Sequence, residues 1–200
     1  MAGLTDMLMS QLGSKDLLSK LGGQLNTDEK TAGTATNAAI AALMGAISKN
    51  ASSEDGAKAL SSALSKKHDG GVLDNIQGLL SSGGGADGAG ILKHVLGNKR
   101  GALEKGLGSS TGLDSGAVSK LLTMVAPLVM GALGREQRQQ GLGTQGLSQL
   151  LGDESRTLQT QNPQAMGALN SLLDSDGDGD VDFGDIMKQG KGLLGKFLGG

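Results

Sequence analysis

The chain has 200 residues and a mass of 20.0 kDa, the size of one ordinary domain or two small ones. Its 18 Lys and Arg against 20 Asp and Glu give a net charge of −2, without the basic excess typical of nucleic-acid binders. Cys, Trp and Tyr are absent and Phe occurs twice, which excludes disulfides, thiolate metal sites and aromatic stacking surfaces. We therefore expect no nucleic-acid partner.

Glycine accounts for 36 of the 200 residues, more than twice its usual share of about 7 %. No segment reaches the roughly 18 uninterrupted apolar residues of a membrane-spanning helix, so no transmembrane segment is expected. The N-terminus has no early Lys or Arg and carries Asp6 where a signal peptide would become apolar. The default expectation is a cytoplasmic protein, with signal-independent export left open.

Apolar residues recur every three or four positions from the start of the chain, which is the period of an amphipathic helix. One such stripe begins at Leu4 and continues to Leu21. The segment Asn-Thr-Asp-Glu that follows has the pattern of a capping box, with Asn26 as the N-cap and Glu29 reaching back to it. This pattern predicts the start of a long Ala-rich helix.

Two more helices are predicted before the middle of the chain. Residues 53–55 place acids in a first helical turn, and the basic residues 66–68 suit the last turn of the same helix. Residues 72–80 predict the next helix, which the Ser81–Gly85 run stops. No segment alternates Val, Ile and Thr as a strand would, so the predicted fold class is all-α.

A short repeated motif predicts that one part of the chain is a duplicate of another. The segment Ala42–Ile47 (Ala-Leu-Met-Gly-Ala-Ile) returns 86 positions later as Leu128–Leu133 (Leu-Val-Met-Gly-Ala-Leu). Glycine lowers the stability of a helix interior, so Gly45 and Gly131 at these places indicate close approach between helices. We expect two tandem related multi-helix units, with residues 27–49 and 113–134 as equivalent long helices.

Composition suggests where these units end. The first boundary falls in the glycine-rich stretch Ser81–Gly90, and a second, looser one lies between Glu136 and Gln145. An Asp-Gly step precedes several apolar helices, where the Asp can cap the helix and the Gly lets the chain turn. The expected organisation is a first unit over 1–85, a second over 86–140, a linker or helix over 141–161, and a helix–loop–helix over 162–200.

Five stretches carry a resemblance to a known family: Lys49–Ser53, Gly56–Leu60, His68–Leu73, Asp87–Gly97 and Met124–Gly131. They resemble the bacterial family called domain of unknown function 937 and, more distantly, YidB-like proteins. The resemblance covers roughly residues 1–140 and is most specific from Lys49 to Gly97. It implies a small helical bacterial protein and supplies no reaction, substrate or catalytic residue.

The strongest motif is an Asp-rich loop that resembles the Ca²⁺-binding loop of an EF-hand. Its spacing places three carboxylates at positions 1, 3 and 5, Gly179 at the sharp turn of position 6, and a backbone carbonyl at position 7. A further aspartate at position 9 can act through water. The predicted metal ligands are Asp174, Asp176, Asp178, Asp180, Asp182 and Asp185.

The last position of this loop departs from the usual pattern. Asp185 stands where a bidentate Glu is usual, and the shorter side chain favours six-coordination with weaker discrimination between Ca²⁺ and Mg²⁺. Six carboxylates within twelve residues repel one another unless a cation screens them. Residues 174–200 hold six acids and three lysines, whereas the rest of the chain is nearly neutral. The sequence therefore predicts one Ca²⁺ or Mg²⁺, with an acidic solvated turn as the alternative.

The segment Ile186–Leu198 follows the loop and predicts an amphipathic helix. Its apolar residues cover an arc of about 140° at 100° per residue, and three lysines lie outside that arc. Docking on the protein's own core is the favoured interpretation. Contact of this helix with an anionic membrane surface is the alternative.

Two motif matches are attributed to chance in a glycine-rich chain. The G-x-G-x-x-G match over residues 141–146 and the G-x-S-x-G match around Ser110 both lack the strand that such motifs require. His68 and His94 have no second ligand or placed acid in the sequence that would make them catalytic. We therefore expect a non-enzymatic protein.

The favoured functional interpretation is a helical protein with one divalent-cation site that orders the C-terminal helix. The alternative is a self-assembling or surface-associated structural protein built from helical repeats, which would act as a homo-oligomer. An enzyme is the least favoured class, because no pair of nucleophile and base can be named.

Overall fold

A computed structural model describes residues 3–161, which are almost entirely helical and include no strand. The all-α fold class is confirmed for this part of the chain. The helices are α1 (Leu4–Leu12), α2 (Lys15–Leu25), α3 (Glu29–Asn50), α4 (Glu54–Lys67), α5 (Ile76–Ser81), α6 (Gly85–Leu96), α7 (Arg100–Thr111), α8 (Ser115–Gln139) and α9 (Thr144–Gln161). Short 3-10 turns over Gly71–Asn75 and Gly97–Lys99 precede α5 and α7.

Helices α3 and α8 contact each other and form the centre of the fold. Helix α3 also packs against α1, α2, α6, α7 and α9, and α8 packs against α1, α2, α4, α5, α6 and α7. Both helices are therefore buried along most of their length, as Leu43 and Leu122 illustrate with no exposed surface. The two segments that share the Met-Gly-Ala motif are both long central helices.

The buried residues of α3 and α8 belong to one hydrophobic cluster, together with residues from α1, α2, α4, α6, α7 and α9. This shared cluster joins the parts of the chain that the sequence assigned to successive units. The division into two tandem units stays a prediction from the repeated motif.

Helix α8 is long and apolar enough to cross a membrane by length and composition, but 78 % of its most apolar window is buried inside the fold. Core helices of folded domains have the same property. The most apolar long helix in residues 3–161 thus serves as the centre of the helical core.

The beginning of the chain differs from the sequence prediction in two places. The stripe from Leu4 to Leu21 is divided, because α1 ends before Gly13 and α2 starts only at Lys15. Asn26 is not the N-cap of α3: it ends α2 in the left-handed conformation (φ 55°), which Asn tolerates better than most residues.

Asp28 caps α3 in place of the predicted Asn26. Its carboxylate accepts hydrogen bonds from the Thr31 hydroxyl at 2.7 Å and the Thr31 amide at 3.0 Å. These two bonds lower the pKa of the Asp28 carboxyl from its usual value, and the bond from the hydroxyl has the larger effect. A charged acceptor with two partners suits the positive end of the helix.

Only the first part of the glycine-rich stretch Ser81–Gly90 connects two helices. The helix predicted over residues 72–80 is instead a 3-10 turn over Gly71–Asn75 followed by α5, which ends at Ser81 as predicted. Helix α6 begins at Gly85 and includes the later glycines of the stretch. Asp87 therefore lies within the first turn of α6 and is not its N-cap. The earlier Asp-Gly step turns the chain as predicted, since Gly70 has φ 97°. Asp69 is not an N-cap, because Gly70 takes that position before a 3-10 turn; the Asp69 carboxylate accepts from the Gly71 amide.

Glycines along α8 allow backbone to approach it closely. A Cβ at Gly134 would overlap the carbonyl oxygen of His68, which follows α4. A Cβ at Gly131 would overlap the side chain of Val72. The close approach that the sequence indicates at Gly131 is therefore present, and the partner is the 3-10 turn before α5.

Pro127 creates a further close contact on α8. Proline has no amide hydrogen, so the carbonyl of Thr123 loses its usual i+4 donor. The glycines at the start of α6 lie against this carbonyl, and a Cβ at Gly84 or Gly88 would overlap the Thr123 oxygen. Helix α6 thus packs by its backbone on the part of α8 that proline disrupts.

The carboxylate of Glu154 on α9 binds the start of α1. It accepts hydrogen bonds from the Leu4 amide (2.7 Å), the Thr5 amide (3.0 Å) and the Thr5 hydroxyl (2.6 Å). Glu154 is 7 % exposed, so this anionic cap at a helix N-terminus is almost fully buried. It joins the two ends of the described chain.

Replacement of glycine by alanine is predicted to have opposite effects at two helix-interior sites. Gly134→Ala should destabilise the protein by about 1–3 kcal/mol, because its methyl group has no room beside the His68 carbonyl. Gly152→Ala in α9 meets no atom within 4 Å and should stabilise by up to about 1 kcal/mol through helix propensity. Urea denaturation measures the change in the free energy of unfolding for both variants. If Gly134→Ala left that free energy unchanged, the close approach at Gly134 would be contradicted.

Glu154→Gln is predicted to destabilise the protein by about 1–3 kcal/mol, because the three hydrogen-bond donors at α1 lose a charged acceptor. The control is Asp153→Asn, which removes an exposed ion pair with Arg156 and should change stability by less than about 1 kcal/mol. Denaturation gives the magnitudes, and amide exchange at Leu4 and Thr5 should accelerate in Glu154→Gln alone.

Candidate functional site

The predicted cation ligands lie outside residues 3–161, and so does the amphipathic segment Ile186–Leu198. The six residues concerned are Asp174, Asp176, Asp178, Asp180, Asp182 and Asp185. Within the part of the chain that the structure describes, no group of three or more His, Asp or Glu side chains is placed to hold a metal ion. The cation site therefore stays a prediction from the sequence.

A cleft of about 1390 Å³ lies between α4 and α6. Both helices pack on α8, and the C-terminal end of α3 forms the floor between them through Ala46 and Ile47. Asn50 at the end of α3 donates a hydrogen bond to the carbonyl of Val95 at 2.9 Å, which joins the floor to the α6 wall. The cleft thus combines residues from four helices.

Aliphatic side chains form the walls of the cleft. The α4 wall presents Leu60 and Ala63, which are partly buried and pack at the edge of the core. The α6 wall presents Ile91 and Val95, and Met130 of α8 closes the base. These residues make the cleft an apolar surface that is open to solvent on one side.

The charged residues around the cleft are mostly basic. Lys66 and Lys67 are exposed at the C-terminal end of α4, and Lys49 and Lys99 also line the cleft. Asp87 is the one acidic side chain among the described lining residues. The arrangement therefore favours a ligand that is apolar on one side and carries negative charge.

Two histidines also line the cleft. The His94 ring nitrogen Nδ1 pairs with the Gly90 carbonyl at 2.8 Å within α6. Burial lowers the pKa of the His68 imidazole from its usual value; the Asp87 carboxylate partly opposes this shift, and Lys67 adds to it. Near neutral pH, His68 is therefore held towards its uncharged form.

The sequence indicated the components of this cleft but not their arrangement. Lys66, Lys67 and His68 were recognised as the end of a helix, and the structure brings them beside α6, which carries His94. The contact between Glu154 and α1 could not be predicted either, because nothing in the sequence relates an acid on α9 to the first helix. An unusual pair of lysines after an apolar helical stripe is the one local sign of the cleft.

The two motif matches attributed to chance lie in helical surroundings. Residues 141–146 span the connection from α8 to α9 and the first turn of α9, and Ser110 lies near the end of α7. Neither follows a strand in the described chain.

Comparison with known proteins identifies a family. The model of a family described as bacterial protein of unknown function (DUF937) matches residues 6–136. The match includes α3, α4, α6 and nearly all of α8, and with them the cleft; it ends before α9. No curated protein and no solved structure matches the chain.

The stability of the protein is predicted to depend on pH through His68. Because its pKa is lowered in the folded state, the unfolded chain takes up this proton first as the pH falls below about 6.5. The stability associated with neutral His68 is present above that pH and is lost as the pH falls towards the lowered pKa. Between pH 8 and pH 5, His68→Gln should therefore lose less stability than the wild type in urea denaturation; parallel losses would contradict this role.

Proposed function

Since the chain belongs to the DUF937 family of bacterial proteins of unknown function, we propose a role for it from its own chemistry: a non-enzymatic helical protein that binds one divalent cation, Ca²⁺ or Mg²⁺, in the loop Asp174–Asp185. The observation that carries this proposal is the spacing of the aspartates. Carboxylates at positions 1, 3 and 5, followed by glycine at position 6, match the ligand order of an EF-hand loop.

The cation has a structural role in this proposal. It joins Asp174 at the start of the loop to Asp185 at its end, immediately before the segment Ile186–Leu198. Ordering the loop therefore fixes where that amphipathic segment starts, which reduces the entropy that it loses on docking. Within residues 3–161 the core consists of Leu, Ala, Val, Ile and Met without aromatic side chains, and such a core gains from an additional connection.

The non-enzymatic part of the proposal rests on the sequence, in which no pair of nucleophile and base can be named. The apolar lining of the described cleft supports a binding role.

The alternative is a self-assembling structural protein, and the open apolar cleft between α4 and α6 is the observation that favours it. Size-exclusion chromatography with light scattering, with Ca²⁺ and with EDTA, separates the two functions. A monomer whose melting temperature rises with Ca²⁺ supports the cation-binding protein. A large assembly that is indifferent to the metal supports the alternative.

Asp174→Ala is predicted to reduce cation binding, because it removes the ligand at position 1 and one charge of the cluster. Binding to the folded state adds stability by mass action, so Ca²⁺ should raise the melting temperature of the wild type and raise that of Asp174→Ala much less. Asp16→Ala, an exposed acid on α2, is the control and should respond as the wild type does.

Calorimetric titration provides the second measurement. Asp185→Glu restores the longer carboxylate at position 12 and should tighten Ca²⁺ binding relative to Mg²⁺. Absence of heat and of a melting shift at millimolar Ca²⁺ or Mg²⁺ would reduce the motif to an acidic turn. An equal shift in the wild type and in Asp174→Ala would place the ion elsewhere.

A further inference from the structure

The cleft between α4 and α6 is large enough to receive one face of a helix. Its volume is about 1390 Å³, above the roughly 300–1,000 Å³ of small-molecule pockets. Its walls are helices of 14 and 12 residues, about 21 Å and about 18 Å long. A helix of 13 residues is about 20 Å long, so its length matches that of the walls.

The segment Ile186–Leu198 has the apolar pattern that such a cleft requires. Its six large apolar side chains fall on one helical arc, and its three lysines fall outside that arc. The walls offer aliphatic partners from α4, α6 and α8, including Leu60, Val95 and Met130. With the apolar arc against these walls, the lysines would remain in solvent.

Charge is divided along the segment 174–198. Its six acids all precede Ile186 and its three lysines all follow it, so the part placed in the cleft is basic and the loop before it is acidic. The charged residues that line the cleft are mostly basic, and Lys66 and Lys67 lie exposed at the end of the α4 wall. The loop aspartates therefore suit these two lysines, whereas the lysines of Ile186–Leu198 must lie on the solvent side.

The segment is tethered within reach of the cleft. The Ser48 hydroxyl donates to the Leu151 carbonyl at 3.2 Å, so α9 lies beside the part of α3 that forms the floor. Gln161, the end of α9, is ten residues or about 15 Å further on. As the helix expected before the loop, residues 162–173 would be about 18 Å long, which covers the roughly 15 Å back to the floor.

We propose that the α4–α6 cleft is the docking site of this chain's own segment 174–198, with the apolar face of Ile186–Leu198 between the two helices. The proposal rests on the cation-binding function, because the cation fixes the start of the docked segment at Asp185. A short tether gives an effective concentration of order millimolar, which favours the chain's own segment over that of a second copy at micromolar concentration.

Docking and cation binding are then thermodynamically linked. If the cation favours docking, docking must favour the cation by the same factor. A substitution in the cleft should therefore weaken Ca²⁺ binding although it lies far from the loop in sequence. The reduction should be at least about fivefold, the lower end of the range for coupled sites.

The absence of Trp and Tyr makes Phe197→Trp a single reporter in the full-length chain. Its emission in Ca²⁺ should lie at short wavelength and be protected from acrylamide quenching, since residue 197 lies on the docked apolar face. Adding Ala59→Glu, an exposed lining residue of α4, should shift the emission to that of an exposed indole and weaken Ca²⁺ binding. Adding Ala89→Glu, an exposed residue of α6 that does not line the cleft, should change neither.

A cysteine pair identifies the occupant, because the chain has no cysteine of its own. Ala59→Cys with Leu194→Cys should form an intramolecular disulfide under mild oxidation, and Ala89→Cys with Leu194→Cys should not. Disulfide-linked dimers would assign the cleft to a second copy and overturn the proposal. So would a solvent-exposed indole in Phe197→Trp, or equal responses to the two glutamate substitutions.

The same measurements separate this inference from the proposed function. Calorimetric Ca²⁺ binding by Phe197→Trp with an exposed indole would leave the cation site intact and reject docking in the cleft. A buried indole that Ala59→Glu releases, without any heat of cation binding, would support docking and reject the cation site.

Discussion

The fold depends on close backbone contact with helix α8. A chain without Trp or Tyr, and without an aromatic residue in the described core, has little side-chain volume to fill space between distant helices. Its helices must therefore approach one another closely, and glycine permits this where α8 meets its neighbours. The His68 carbonyl lies against Gly134, and Gly84 and Gly88 lie against the Thr123 carbonyl. Removing the Cβ at these points brings the small aliphatic side chains of the core into contact.

These contacts also explain why an open cleft can exist in a chain with so many helices. The end of α4 is held at Gly134, and the start of α6 is held at Thr123. These two positions are 11 residues apart, or about 16 Å along α8. The walls are thus fixed at separate points of one helix, on either side of Pro127, with the end of α3 between them. The two contact points therefore set how far apart the walls of the cleft lie.

The sequence predicts local structure well in this protein because helical period and helix-end charges are local signals. It gives the all-α class, the extent of α4, the end of α5 and the close approach at Gly131. It fails where two local signals compete: Asn26 and Asp28 are both good N-caps, and only the left-handed turn at Asn26 decides between them. Contacts such as Glu154 with Leu4 join residues 150 positions apart, and no pattern in a single sequence records them.

The hydrogen bonds of helix α9 fix its direction beside α3. Glu154 binds this last described helix to the first, and α9 also packs along α3. Ser148 donates to the Ala51 carbonyl at the turn between α3 and α4, which fixes the beginning of α9 as well. A helix held at both points has one direction beside α3, so its last residue, Gln161, has a defined place. The α4–α6 cleft has the end of the same helix α3 as its floor, so a tether that leaves α9 at Gln161 must return about 15 Å along α3 to reach that apolar surface.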